Sequence, residues 1–443
     1  MSALAVRRWE VLSDADRRMI FARSTAAIFD DELHRGVAEI VADVRDHGDA
    51  AIVRALARFD GVELAPADLR VQDEEFELAR ASLDEKLASA IRMGIENIRR
   101  YNERVLRDAD WMEELSPGVV VGEKTSPILS AGLFVPSGKG SFPSVLMQIG
   151  TPATVAGVPT IAVVVPPMRG STSVDPAVLV VASELGIRDV FRVNGPAGIA
   201  ALAFGTESIP RVGRVVGPGS PAVAAAQLQV HRYGCSSVML FGPSEAIVLA
   251  DEHQDPLLIA ADLLNEAEHG PDSAALLVTP SEQLVQDVSR YVDEALEELP
   301  EPRREYAASA ISKFGGAIIV RDLDEAVEFT NEYAPEHLLV ATADPDAQLA
   351  GLRNAGEILL GDTPIVAANL SIGVPATLPT GGFARFSSGV TARTFTKTTS
   401  IARTSEKALE RLGPSILALC EHEGFPAHAR SIHLRRTRVT QDA

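Results

Sequence analysis

The feature that most constrains this chain is an alternation that occurs twice. From Ala131 onward, short apolar runs, AGLFVP, TIAVVVPP, DVFRVNG and RVVG, are separated by helical stretches such as SVDPAVLVVASELG and PAGIAALAFGT. Runs this short and this apolar fit strands buried on both faces, and a crossover helix is what a parallel strand needs to return to the same edge. The alternation resumes with AALLVTP, GAIIVRD, HLLVATAD and AGEILLGD, separated by SEQLVQDVSRYVDEALEEL and LDEAVEFTNEYA. The expectation is an α/β protein with two parallel-sheet domains of similar size, although no residue-level repeat is visible.

A chain of 443 residues is too long for one simple core and implies two to four domains. Before the alternation, DELHRGVAEIVADVRDHGD and DEKLASAIRMGIENIRRYNERVLRDAD place apolar residues at three- and four-residue steps behind acidic starts, as helices do. The reading is therefore a helical N-terminal region over residues 1–125 serving dimerisation, a first α/β domain over 126–250, a second over 251–375, and a loop and C-terminal tail over 376–443. Beyond Gly361 the stretch SIGVPATLPTGGFARFSSG is rich in Gly, Pro, Ser and Thr, and a long loop in a compact protein is usually functional. The chain closes on a helical tail with the basic stretch HLRRTR.

Composition excludes several classes. Hydrophobic residues make up 46% and charged residues 23%, ample material for packed cores. A formal charge of −20 argues against a general binder of nucleic acid or anionic membrane, which would need a basic surface. No apolar run reaches the length of a membrane span, and MSALAVRRWE lacks an apolar signal region, so a cytosolic protein is expected. Cys235 and Cys420 belong to no CxxC motif and are read as reduced thiols, at least one in a core.

Within the second alternation, DPLLIAADLLNEAEHG (Asp255–Gly270) reads as one helix. Asp255 is a natural N-cap, Pro256 fits the first helical position and Gly270 can close the end. Leu257, Leu258, Ala261, Leu264 and Ala267 recur at helical spacing as a core face. Glu266 and His269, three apart, could close on one zinc-sized ion, although such pairs are more often solvated surface. Two glycine-rich loops were weighed as phosphate cradles. PSGKGS (Pro136–Ser141) lacks the first glycine of a Walker loop, which would fall at Leu133. GPGSPA (Gly217–Ala222) fits G-x-G-x-x-A after a strand, but its prolines leave a tight strand-to-helix turn as the competing account.

With this helix, the stretches GPSEAIVLAD (Gly242–Asp251), NEYAPEHL (Asn331–Leu338) and EGFPAH (Glu423–His428) resemble histidinol dehydrogenases along most of the chain. The resemblance implies two incomplete Rossmann-like domains with helical extensions, a homodimer whose C-terminal segment reaches the partner's active site, one zinc per site, and two successive NAD-dependent oxidations of a small amino alcohol. It matches Glu336 and His337 to the acid–base pair. His337 would take the alcohol proton, since imidazole titrates near working pH, and Glu336 would activate water in the aldehyde step. His269 and His428 match zinc ligands, with Glu266 and Asn369 where the family has a glutamine and an aspartate. The exchange leaves the ligand charge unchanged. Ser244, Glu266, His269, His337, Asn369, Glu423 and His428 match substrate-binding positions. His34, His47, His231, His253, His422 and His433 match nothing and are read as structural or solvated.

Departures lie mainly around the substrate and cofactor. Leu370 and Ala376 stand where the family has a tyrosine and a histidine, and Phe134, Ala197 and Ser220 stand at the NAD-contacting tyrosine, glutamine and asparagine. Buried polar groups reject ligands that leave them unpaired, so these changes bear on what is bound. L-Histidinol is the first candidate substrate. The alternatives are a relative acting on another hydroxylated compound, such as a dihydroxypropane sulfonate, and a catalytically silent paralogue.

Overall fold

The computed structural model describes residues 3–23, 28–137, 140–238 and 242–439. In chain order the strands are β1 (Val6–Arg8), β2 (Trp111–Ser116), β3 (Val119–Pro127), β4 (Ser130–Phe134), β5 (Thr160–Val165), β6 (Asp189–Arg192), β7 (Arg214–Val216), β8 (Ser236–Ser237), β9 (Glu245–Ala250), β10 (Ala274–Thr279), β11 (Gly316–Ile319), β12 (His337–Ala341), β13 (Glu357–Leu360) and β14 (Thr396–Thr404). They form a five-stranded parallel sheet in the order β6-β5-β4-β7-β8 and a six-stranded parallel sheet in the order β1-β11-β10-β9-β12-β13. Numbered within each domain, both follow 3-2-1-4-5, and β1 extends the second at its edge. This is the strand order of a doubly wound nucleotide-binding sheet lacking its sixth strand. The repeat that no residue pattern revealed is therefore a repeat of topology.

The six-stranded sheet shows why its strands read as continuous apolar runs. Along β9, Ala246, Val248 and Ala250 join the core on one face while Ile247 and Leu249 join the core on the other. Both faces are covered, so both phases of the two-residue period are apolar. The first face packs against helices Pro256–Ala267, Glu282–Glu298 and Arg303–Lys313, and the second against helix Leu323–Tyr333 and Trp9. Helix starts follow their caps: Asp255, Ser281 and Asp322 each accept a backbone N–H two or three residues on. The five-stranded sheet packs against helices Asp31–Ala55, Gly195–Phe204 and Pro221–His231.

By compactness the chain divides into Met1–Arg104 with Ile128–Phe395, and Val105–Pro127 with Thr396–Ala443. Both parallel sheets lie in the first unit. The second holds a three-stranded antiparallel sheet, β14-β3-β2, with helices Glu406–His422 and Pro426–Val439. The sequence reading contained neither this sheet nor β1, β8 and β9 as strands. β14 is paired with β3 across more than 250 residues, a contact invisible to local periodicity. Between β13 and β14 the chain forms only short helical turns, as the Gly- and Pro-rich composition implied. Gly138 and Lys139 of the PSGKGS loop lie outside the described residues. Among the described residues no helix is long and apolar enough to cross a membrane.

Candidate active site

His337 is the first residue of β12 and Glu336 precedes it, and both are buried. The register of the parallel sheet sets His337 beside Ala246 of β9 on one side and Glu357 of β13 on the other. His337 Nδ1 is hydrogen-bonded to Glu357 Oε1, while Nε2 lies 3.7 Å from Glu336 Oε1. Glu336 Oε2 accepts the backbone N–H of Glu245 at 3.1 Å. Glu245, at the start of β9, is buried with an ion pair to Arg23 at 2.6 Å and accepts the N–H of Gly381. The Arg23 guanidinium in turn stacks on Tyr333, its Cζ 3.7 Å from the ring centroid.

Electrostatics follow from this crowding. Burial pushes the Glu336 carboxyl up to about 8, with the negative charges of Glu266 and Glu245 adding to the effect and His337 opposing it. For His337, burial alone would lower the pKa, but the facing carboxylates of Glu266, Glu336 and Glu357 outweigh it and raise the ring to about 10. Both shifts favour a proton retained within the pair.

Glu266 lies in the last turn of helix Pro256–Ala267. The helix begins as its sequence predicts, with Asp255 capping the N–H of Leu257 at 2.9 Å. Two expectations need correction. The helix ends at Ala267 with Glu268 as C-cap, so His269 sits just past the helix rather than on its surface, and Gly270 does not close it. Its core face is Ile259, Ala260, Leu263, Leu264 and Ala267, leaving Leu257 and Leu258 more than half exposed and Ala261 exposed. Apolar residues lie around most of this helix, so periodicity alone did not determine which stripe meets the sheet. Glu266 is itself on the buried side.

Glu266 and His269 do come together, with Oε2 and Nδ1 3.9 Å apart. Asn265 donates to Glu266 Oε1 at 2.8 Å, while the buried Oε2 has no hydrogen-bond partner among the described residues. His269 Nδ1 engages the carbonyl of Asn265 at 3.0 Å. A ring nitrogen anchored on a backbone carbonyl, beside an unsatisfied carboxylate oxygen, is the arrangement that metal-ligating histidines adopt. Asn369 is half-buried in the turn Ala368–Ile372, whose backbone is held by Gln148: its amide donates to the carbonyls of Ala368 and Asn369, and its oxygen accepts the N–H of Ala376. The preceding turn Ile365–Ala367 packs on helix Pro256–Ala267, and the N–H of Ile365 bonds to Asp262. Burial, and then the neighbouring Glu266, raise the Asp262 carboxyl to about 6 despite that bond.

Ser244 is half-buried immediately before β9 and its carbonyl accepts the N–H of Ala274. Glu423 and His428 belong to the second compact unit, exposed where helix Glu406–His422 gives way to helix Pro426–Val439. Among the described residues no three His, Cys, Asp or Glu side chains are gathered as a metal centre.

A cavity of about 630 Å³ opens at the carboxyl edge of the five-stranded sheet. Ala197 and Ser220 line it, together with Asn194, Gly195, Asp60 and residues of helix Asp31–Ala55. Helices Gly195–Phe204 and Pro221–His231 both begin here, and neither N-cap, Asn194 or Ser220, makes a side-chain cap bond. Two helix starts without a side-chain cap suit an anionic ligand such as a pyrophosphate through the helix dipole. Gly217 fixes this geometry: a Cβ there would lie 2.1 Å from the carbonyl oxygen of Phe134. The GPGSPA stretch is thus a close strand-to-helix turn that also borders a cavity. Phe134 itself is fully buried in the core below.

Sequence reasoning missed Glu357, Glu245, Arg23 and Asp262. Asp262 carried a signal, since it lies four residues before Glu266 and hence on the same helical face. Glu357 carried only one: a carboxylate opening an apolar strand, AGEILLGD, has to be accounted for once both faces of the sheet are buried.

The family model for histidinol dehydrogenase matches residues 23–436. The protein named histidinol dehydrogenase from Halalkalibacterium halodurans is 43% identical over 409 residues, covering 91% of this chain and 94% of its own. One of the same name from Synechocystis sp. is 41% identical over 399 residues, covering 90% and 91%. A histidinol dehydrogenase homolog from Colwellia psychrerythraea is 38% identical over 436 residues, covering 97% and 96%. Among solved structures, histidinol dehydrogenase from Elizabethkingia anophelis superposes with a TM-score of 0.93 at 29% identity, over 99% of both chains.

Proposed function

The chain belongs to the histidinol dehydrogenase family, oxidoreductases acting on CH–OH groups, and on that premise we propose that it oxidises L-histidinol to L-histidine with NAD as hydride acceptor and zinc as resident metal, a reaction of histidine biosynthesis. The observation that carries the reading is the buried acid–base pair at the start of β12. His337 takes the alcohol proton on Nε2 as hydride leaves the carbinol carbon, and Glu336 activates the water that adds to the aldehyde carbon in the second oxidation. Ser244 and Glu423 contact the substrate.

Glu266, His269, Asn369 and His428 would hold the zinc, a mixed N/O set carrying one negative charge. The unsatisfied Glu266 Oε2 and the anchored His269 ring fit that role. Zinc, when bound, supplies polarisation of the alcohol oxygen and offsets the charge of Glu266. That charge is the first of those raising the His337 pKa, so a cation held at Glu266 would favour the neutral ring that accepts the alcohol proton. The cavity lined by Ala197 and Ser220 would hold NAD, its pyrophosphate toward the two helix starts, with the Phe134 end of β4 at the switch between strand directions. His428 and Glu423 reach the site from the partner subunit of a homodimer. The test is formation of two NADH per L-histidinol by zinc-loaded protein. No NADH from histidinol, with turnover of a different small alcohol, would overturn the substrate assignment.

A further inference from the structure

Three features bring the buried Glu357 to His337. They are opposite each other in the β12–β13 register, and register partners in a parallel pair direct their side chains to the same face. Leu339 and Leu359, two residues further along each strand, both lie in the core beneath helix Pro256–Ala267, which places His337 and Glu357 on that same face. Gly356 permits the approach: its N–H bonds to the Pro335 carbonyl at 2.9 Å, the Glu357 N–H bonds to the Glu336 carbonyl at 3.1 Å, and a Cβ on Gly356 would come within 2.5 Å of that same Glu336 oxygen.

Glu357 is a costly residue for packing alone. It is 9% exposed, its Oε2 has no hydrogen-bond partner among the described residues, and its Oε1 engages the imidazole. A buried carboxylate with half of its acceptor capacity unused burdens the fold, and a leucine in a strand otherwise made of Ile358, Leu359 and Leu360 would not. The chemistry it does supply is specific. A carboxylate on one ring nitrogen fixes the tautomer and the ring orientation, and it stabilises the imidazolium formed when the other nitrogen takes a proton.

We propose that Glu357 is a positioning residue for His337, holding the Nδ1–H so that the Nε2 lone pair is presented to the substrate hydroxyl. The proposal rests on His337 being the base of the alcohol step. The alcohol proton passes to Nε2, the hydride passes to NAD, and Glu357 exchanges no proton. The charged groups facing the ring are Glu266 from the neighbouring helix, Glu336 ahead of β12, Glu245 from β9 and Glu357 itself.

The test compares Glu357→Leu, Glu357→Gln and His337→Ala in full-length, zinc-loaded enzyme, with zinc content measured for each. Glu357→Leu should lower kcat for L-histidinol roughly 10²-fold or more, with KM changed less than about threefold. Glu357→Gln still accepts the Nδ1–H and should lose only about tenfold. It also removes a negative charge facing the ring, so imidazolium gives up its proton more readily and the acid limb of the kcat profile should move to lower pH. The ¹⁵N shifts of the His337 ring, identified by their loss in His337→Ala, should report an Nδ1-protonated tautomer in the parent protein and a mixed population in Glu357→Leu. Wild-type kcat and an unmoved acid limb in both Glu357 variants, while His337→Ala is inactive, would make Glu357 merely structural. If His337→Ala keeps its turnover, the base assignment fails instead, and the ring tautomer then decides alone whether Glu357 positions His337.

Discussion

The two parallel sheets share one strand order but carry their candidate sites at opposite edges. In the five-stranded sheet the cavity and the uncapped helix starts lie beyond the carboxyl ends of β6 and β7, on the side where the switch between β4 and β7 gives a doubly wound sheet its crevice. In the six-stranded sheet the corresponding switch between β9 and β12 is filled by the protein itself. Asp251 is buried there, its carboxylate accepting the N–H groups of His253 at 3.0 Å and Ala343 at 2.7 Å. The titratable cluster of this sheet sits instead at the amino ends, where Glu245, His337 and Glu357 each open a strand. One topology therefore supplies two kinds of site. The carboxyl edge has helix dipoles at two uncapped helix starts, and the amino edge has side chains paired by register in a buried, low-dielectric setting that shifts their pKa values.

This contrast can be broken most sharply at His337. His337→Ala should cost about 10²–10⁴ in the first oxidation while NAD affinity, measured by titration, stays unchanged. A parallel loss of NAD binding would mean the edges are not functionally separate. Glu336→Gln should slow turnover of the aldehyde roughly 10²-fold and spare the alcohol step, as read by single-turnover NADH formation from each substrate. Equal losses in both steps would dissolve the division between the two residues.

The metal provides a smaller lever on the same edge. The protein should carry about one zinc per chain, and His269→Ala should weaken zinc at least roughly 10–100-fold by metal analysis. At the other edge, Ser220→Trp places a ring in the mouth of the cavity from an exposed position, and should raise KM for NAD about tenfold with kcat little changed. A wild-type KM for NAD would move the cofactor out of this cavity. The amino edge of the five-stranded sheet should be silent. Cys235 lies there just before β8, its thiol pushed up to about 11 by burial despite Arg211 and Arg214 nearby. Thiolate is the reactive form, so alkylation of Cys235 in folded protein should stay slow near pH 8 and rise only toward pH 11, without effect on turnover. Rapid labelling near neutrality would show that edge to be open.

The sequence by itself determined four strands of each parallel sheet, from AGLFVP to AGEILLGD, and crossover helices between them, because strands buried on both faces and amphipathic or capped helices leave local signatures; it did not give β8 or β9. The nearness of Glu266 to His269 was legible because it spans three residues, whereas Glu336 and His337 stood out only through the resemblance of NEYAPEHL to histidinol dehydrogenases. The tertiary structure decided what depends on contacts distant in sequence. The pairing of β14 with β3, the addition of β1 to the second sheet and the join of Glu357 to His337 across 20 residues are matters of register, which no single strand encodes. The stripe of helix Pro256–Ala267 that faces the core was likewise chosen by the sheet it packs on, because a helix apolar around most of its circumference has no preferred side until something is placed against it.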